Sequence, residues 1–351
     1  MKVSQRTVRL ELTEPLRISR SSMAARDALW LSVEYEGQCG HGEVVTSVYY
    51  GLDTATLRGL LHAQAEWLAR FPEPESALEA LLDGGREGTA PAVIAAVESA
   101  LLDLLGKRTG IPVHELLGTS APPSAATART IGITAPPRAE TQAVRLVGDG
   151  FSVLKIKAGS RDPEDDLKRV RAVRAAAPNA RLLLDPNGAW SLSTAQRLLP
   201  RLAELGVEAV EQPIAPGDLE ALASLAERSP LPVIADEDAV THEDVRRLAG
   251  RVQGINVKLA KCGGVTAALR IAELIAGTGT ELMLGCLTAS TLGIAPAVHL
   301  ADRARWIDLD GHLLLAHDPW TGIGGADGTV QASQHPGLGV RPRTVAERER
   351  A

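Results

Sequence analysis

The sequence predicts an α/β protein in which eight parallel strands close into a barrel behind a separate α+β module. Three observations predict it. From about residue 126, short β-branched runs alternate with amphipathic helical stretches. The runs end at positions 157, 185, 211, 236, 258, 285 and 308, spaced by 22 to 28 residues, the size of one strand–helix unit. Before residue 126 the rhythm differs: alternating strands come first and helices follow. A doubly wound open sheet is the other arrangement of such units, but no GxGxxG follows an early strand.

In chain order, 3–12 and 28–36 alternate as half-buried strands do, and Gly37 in EYEGQ marks a hairpin turn between strands. Helical patterns follow at 54–70, 75–82 and 90–108. The barrel strands are TARTIGI, FSVLKIK, ARLLLDPN, VEAVEQP, LPVIADE, GINVKLA, ELMLGCL and RWIDLD. Helices are expected between them near 139–148, 163–177, 193–205, 217–228, 241–249, 265–276 and 290–299. The Gly-rich segment after 312 is expected to pack back on the first module. The division is therefore 1–125 as capping domain, 126–315 as (β/α)8-type barrel (a modified TIM barrel) and 316–351 as a returning segment. The tail RPRTVAERER reads as a frayed terminus.

A formal charge of -6 and the lack of a Lys/Arg block before the tail argue against a nucleic-acid partner. No apolar run approaches the length of a membrane span, and the first residues lack the apolar stretch of a signal peptide. Cys39, Cys262 and Cys286 are odd in number and form no CxxC, so a disulfide scaffold or zinc site is not expected and a cytoplasmic location fits. Cys262 and Cys286 read as small buried hydrophobes in or beside strands. A homo-oligomer acting on a small molecule is expected.

The candidate site rests on three carboxylates that end consecutive strands: Asp185, Glu211 and Asp236. Strand ends in a parallel barrel face one mouth, where three acids repel unless a cation lies among them. Oxygen ligands select Mg2+, with Mn2+ able to substitute. Singly, each acid could merely cap the next helix. Lysines flank the set. Only seven of the 37 basic residues are Lys, and four of them are Lys155, Lys157, Lys258 and Lys261. A desolvated Lys can lose its proton and act as a base, whereas Arg cannot. Lys155 and Lys157 share one strand face. Lys258 ends a strand almost opposite. This arrangement suits removal of a proton next to a metal-bound carboxylate, an enediolate, and return of the proton to the other face.

The motifs KIK at 155–157, LDPN at 184–187, VEQP at 210–213, ADE at 235–237 and NVKLAKCGG at 256–264 together resemble the enolase superfamily, in its muconate-lactonizing-like subgroup. The resemblance implies Lys157 and Lys258 as the two bases, Lys155 tuning Lys157, and Asn187 and Glu237 beside the metal ligands. Asp308-x-Asp310 is similar to the DxD with which dipeptide epimerases hold the substrate ammonium, although DLDG could be only a turn. HGEVVTSVYYG at 41–51 also looks like their capping segment. Other reactions of the subgroup (N-acylamino-acid racemisation, o-succinylbenzoate synthesis, cycloisomerisation) have no ammonium to bind. A barrel that binds ligand without catalysis is the remaining alternative. Alanine–glutamate epimerases carry an Arg in a capping loop where this chain aligns Met23, with Arg20 and Arg26 nearby. Met23 is expected on a lid loop favouring an apolar side chain, with Lys261 and Cys286 also among the substrate contacts.

Overall fold

A computed structural model describes residues 1–84, 88–344 and 347. The chain opens with β1 (Lys2–Ile18), β2 (Ser21–Tyr35) and β3 (Gln38–Val45), an antiparallel sheet in that order. The β2–β3 turn is Glu36–Gly37, with φ of 49° and 79°, both left-handed, as a two-residue hairpin requires. Leu29, Leu31, Val33 and Val44 are buried beneath α1 (Thr54–Leu68), α2 (Pro74–Leu82) and α3 (Pro91–Thr109). Helix α3 is apolar almost all round because both its sides are covered. It lies directly on the backbone of β3: a Cβ at Gly40 or Gly42 would come within 2.0 Å of the Ala100 or Ala96 carbonyl oxygen. A short α4 (Val113–Leu116) and β4 (Ser124–Ala126) lead into the barrel.

Strands β5 (Ala128–Ile131), β6 (Val153–Lys157), β7 (Arg181–Asp185), β8 (Val207–Glu211), β9 (Val233–Ala235), β10 (Gly254–Val257), β11 (Glu281–Gly285) and β12 (Trp306–Asp308) pair in parallel, each beside the next. Helices α5 (Pro136–Gly148), α6 (Pro163–Ala176), α7 (Leu192–Glu204), α8 (Leu219–Arg228) and α9 (His242–Leu248) follow the first five strands. After β10 come a single helical turn, α10 (Leu259–Cys262), and α11 (Val265–Ile275); α12 (Thr291–Val298) follows β11. Between β12 and β5 side chains make the join: the Leu309 amide donates to Thr127 Oγ1 (2.9 Å) and the Thr130 amide to Asp310 Oδ2 (2.7 Å).

Inside the barrel, Ala128, Val153, Leu183, Ala209, Ile234, Met283 and Trp306 form one apolar layer. Gly254 has no Cβ because Trp306 and Ile234 fill its place. Two residues further along each strand, on the same face, stand Thr130, Lys155, Asp185, Glu211, Asp236, Asn256, Gly285 and Asp308. The apolar plug thus floors a polar mouth.

The chain returns through β13 (Trp320–Thr321), β14 (Thr329–Gln331) and β15 (Arg341–Pro342). β14 pairs with β4, and Trp320 packs edge-on against Trp30 of β2. Asp103 of α3 accepts from the amides of His41 and Leu338, tying this segment to the first module. The expected frayed tail is in part a strand, since β15 pairs with β13. Its residues 345, 346 and 348–351 lie outside the described residues. Among the described residues no helix is long and apolar enough to cross a membrane.

Candidate active site

Each chemistry-bearing side chain comes from the C-terminal end of a strand or the turn just after it. Lys155 and Lys157 face inward from β6, Asp185 ends β7, Glu211 ends β8, Asp236 follows β9 and Lys258 follows β10. In the strand order, β6 and β10 stand four places apart in a ring of eight, so their lysines face each other across the mouth. Gln212, directly after Glu211, has φ of 36° and Asn187 has 50°, so the backbone turns sharply at two of these ends. The Gln212 carbonyl and side chain then hold the loops: its O accepts from Gly188, and its Oε1 from the amides of Asp236 and Asp238.

The carboxylates are buried and each meets an ammonium. Lys155 Nζ donates to Asp308 Oδ2 (2.7 Å) and lies 3.2 Å from Asp185 Oδ2. It also makes a charge contact with Glu211 Oε2 at 2.5 Å. Lys157 Nζ is 2.5 Å from Asp185 Oδ2, and Lys258 Nζ is 2.6 Å from Asp236 Oδ2. Lys261 Nζ donates to Asp236 Oδ1, Asp236 O and Asn256 O. Exposure separates the four lysines. The side chains of Lys157 and Lys258 are 12% and 13% exposed, those of Lys155 and Lys261 only 2% and 1%. Two lysines open into the mouth and two are built into its walls.

The electrostatics follow from this pairing. Burial alone would raise Asp185, but Lys157 and Lys155 hold it down at about 2. Burial is likewise outweighed at Asp236, where Lys258 and Lys261 hold the acid well below the usual range. Glu211 goes the other way: burial, then the neighbouring Asp185, push it up to about 7. Burial would lower Lys155 and Lys258, yet Asp308 for the first and Asp236 for the second keep both charged.

Among the described residues no three His, Cys, Asp or Glu side chains stand ready-assembled around a metal position. Ammonium groups contact the carboxylates instead. The donor set nevertheless fits a hard cation. Four buried oxygens around the mouth have no hydrogen-bond donor: Glu237 Oε2, Asn187 Oδ1, Asn256 Oδ1 and Asp308 Oδ1. Every orphan is an acceptor, which is the deficit a divalent cation such as Mg2+ relieves.

Sequence reasoning missed several residues. Asn256 donates to Glu211 Oε1 (2.7 Å), and Gly285 lacks a Cβ because Asn256 Oδ1 would be 2.4 Å from it. A polar residue on the inward face of an otherwise apolar strand was the available signal. Arg20 pairs with Glu237 at 2.7 Å and covers the Tyr49 ring. Met23 lies on β2, paired with Leu16 and packed on the barrel core; the turn beyond it is only Ser19–Arg20. The expected lid loop is therefore a hairpin tip, and Arg20 occupies it. Lys261 and Cys262 lie on the helical turn α10, not on a strand, because the chain turns immediately after Lys258. Asp308 and Asp310 also part company. Asp308 reaches Lys155 in the mouth, whereas Asp310 Oδ2 is taken by Thr130 N and Arg129 at the seam. Cys286 lines a small cavity with Lys258, between β11 and Val44–Val45 of β3, whose remaining walls are mostly apolar.

Fold and site together define a capped β/α barrel whose mouth combines carboxylates and opposed lysines. The chain belongs to the enolase superfamily: residues 138–346 match the enolase C-terminal domain-like family, and residues 1–118 match the mandelate racemase/muconate lactonizing enzyme N-terminal domain. It is 35% identical over 342 residues to a hydrophobic dipeptide epimerase of Roseobacter litoralis, covering 97% of this chain and 98% of that protein. It is 32% identical to an L-Ala-D/L-amino acid epimerase of Maribacter, covering 97% and 99%. Among solved structures it superposes with a TM-score of 0.90, at 31% identity and covering 97% and 98% of the two chains, on the dipeptide epimerase of Enterococcus faecalis complexed with Mg and L-Leu-L-Tyr.

Proposed function

We propose that this protein is a Mg2+-dependent dipeptide epimerase that inverts the α-carbon of the C-terminal residue. The observation that carries the reading is the pair of lysines that open into the mouth, Lys157 and Lys258, opposed across three carboxylates. One lysine takes the α-proton from one face of the substrate; the other delivers a proton to the opposite face, and the stereocentre inverts. Lys155, fixed by Asp308, Asp185 and Glu211, supplies a permanent positive charge beside Lys157. Lys261, fully bonded, orients Asp236. Asp185, Glu211 and Asp236 would hold Mg2+, which when bound stabilises the negative charge building on the substrate carboxylate. Asp308 has a free buried oxygen for the substrate ammonium, a role in which Asp310 assists through the seam. Asn187 and Glu237 flank the ligands.

The relatives' names and the apolar cavity beside Lys258 both support an apolar side chain at the inverted residue. Met23 acts there through packing, behind the Arg20 tip. Mn2+ is expected to replace Mg2+, and the protein to work as a cytoplasmic homo-oligomer. The 1–125, 126–315 and 316–351 division follows the same reading, with the last segment joined to the cap. The test is deuterium incorporation from D2O across a dipeptide panel. Exchange and epimerisation of L-Ala dipeptides with apolar C-terminal residues support the proposal; a panel without exchange contradicts it.

A further inference from the structure

Seven of the eight barrel strands are followed by a covering helix, but β12 is followed only by a short 3-10 turn, Gly311–Leu314. The flank where an eighth helix would pack holds a cavity of about 540 Å3, between the end of β1, β5, α5 and that turn. Its floor is apolar, with Leu146 and Phe151. Its rim is cationic: Arg17, Arg129, Arg138 and Arg145 face it, against the carboxylates of Glu14 and Asp149. Glu14 is taken by Arg138 at 2.8 Å. Arg129 is spent on Asp310 and the Leu313 carbonyl. Among the described residues neither Arg17 nor Arg145 forms a close ion pair, although Arg145 stands near enough to Glu14 to help lower that carboxyl. A gap meant for a packed helix would be lined by apolar side chains. Several arginines lining one cavity instead supply the groups that recognise carboxylate or phosphate oxygens.

We propose that this flank is a second ligand site, separate from the barrel mouth, that takes a small polyanion such as a polycarboxylate or a phosphate compound. Arg17 and Arg145 bind its charged groups from opposite walls, β1 and α5, while the apolar floor accepts its carbon skeleton. The ligand thereby bridges the first module and the barrel. Thr130 of β5, paired in register with Lys155, lines the cavity as well.

The test is calorimetric titration of the full chain at low salt with citrate and, separately, with inorganic phosphate, which tells the two oxygen sources apart. One equivalent of either anion should bind. Arg17→Ala and Arg145→Ala should each weaken it by about ten-fold, as loss of a charge-assisted contact does. Arg228→Ala, at the far end of α8, should leave the affinity within two-fold, roughly the limit of a distant surface charge. No binding of either anion, or an equal loss in the Arg228 variant, overturns the proposal.

Discussion

Asp310 Oδ2 accepts the backbone N–H of Thr130 at 2.7 Å and so joins the last barrel strand to the first. Its neighbour Asp308 instead points into the mouth, toward Lys155. The two acids should therefore fail differently. Asp310→Ala leaves the partly buried Thr130 amide without its acceptor and Arg129 without its carboxylate, and should cost about 1–3 kcal/mol of stability in urea unfolding. Asp308→Asn should unfold nearly as the parent does. It should lower kcat/KM for dipeptides by roughly ten- to a hundred-fold, and much less for N-acetylated analogues. An Asp310→Ala variant as stable as the parent would refute the seam role.

Glu211 is the acid most in need of a further cation, because burial and the neighbouring Asp185 push it up to about 7 even with Lys155 2.5 Å away. Glu211→Gln should weaken Mg2+ in calorimetry by at least about ten-fold and cut turnover by orders of magnitude. Activity should also vanish on exhaustive chelation and return with Mg2+. Full activity after chelation would remove the metal from the mechanism.

Much of this arrangement was legible in the chain. A strand that must bury both faces is a β-branched run, and it stops where a carboxylate or lysine meets the mouth, so 157, 185, 211 and 236 could be read directly. What was not legible depends on distant partners. Arg20 and Glu237 are 217 residues apart, and so no local pattern announces their ion pair. Met23 reads as loop because RISRSSMAARDALW aligns with the capping loop of alanine–glutamate epimerases; in the structure it pairs with Leu16 on β2 and packs on the barrel core. Asp310 reads as a partner of Asp308 through the resemblance to a DxD motif, but β12 ends at Asp308 and the Asp310 carboxylate turns to the Thr130 amide.

His299 gives the fold a pH dependence. It is fully buried, and its Nδ1 accepts the His114 amide at 3.0 Å, which requires the neutral ring. Burial accordingly lowers its pKa from 6.5 to about 4. The unfolded chain binds this proton first, so the contribution is complete above about pH 6.5 and is lost as pH falls toward 4. At one pKa unit per 1.36 kcal/mol, the loss is about 3 kcal/mol. Urea unfolding at pH 4.5 and 7 should show it, and His299→Gln should flatten the difference. An unchanged pH profile in that variant would assign the acid sensitivity elsewhere.

Gln64 of α1 is fully buried beside Leu57, Leu61 and Leu68, and neither side-chain polar atom has a partner among the described residues. Gln64→Leu keeps the volume and removes the desolvated amide, so the thermal midpoint should rise, by about 1–2 kcal/mol of stability. A lowered midpoint would mean that the amide is satisfied in solution.

The two-base assignment is tested most directly by following solvent deuterium into each epimer of one dipeptide with Lys157→Ala and Lys258→Ala. Both variants should lose epimerisation by at least about a hundred-fold, the usual worth of a positioned acid or base. Each should still exchange the α-proton of one epimer only, and the two variants should spare opposite epimers. Near-parental epimerisation by Lys258→Ala, or exchange of the same epimer by both variants, would contradict the account.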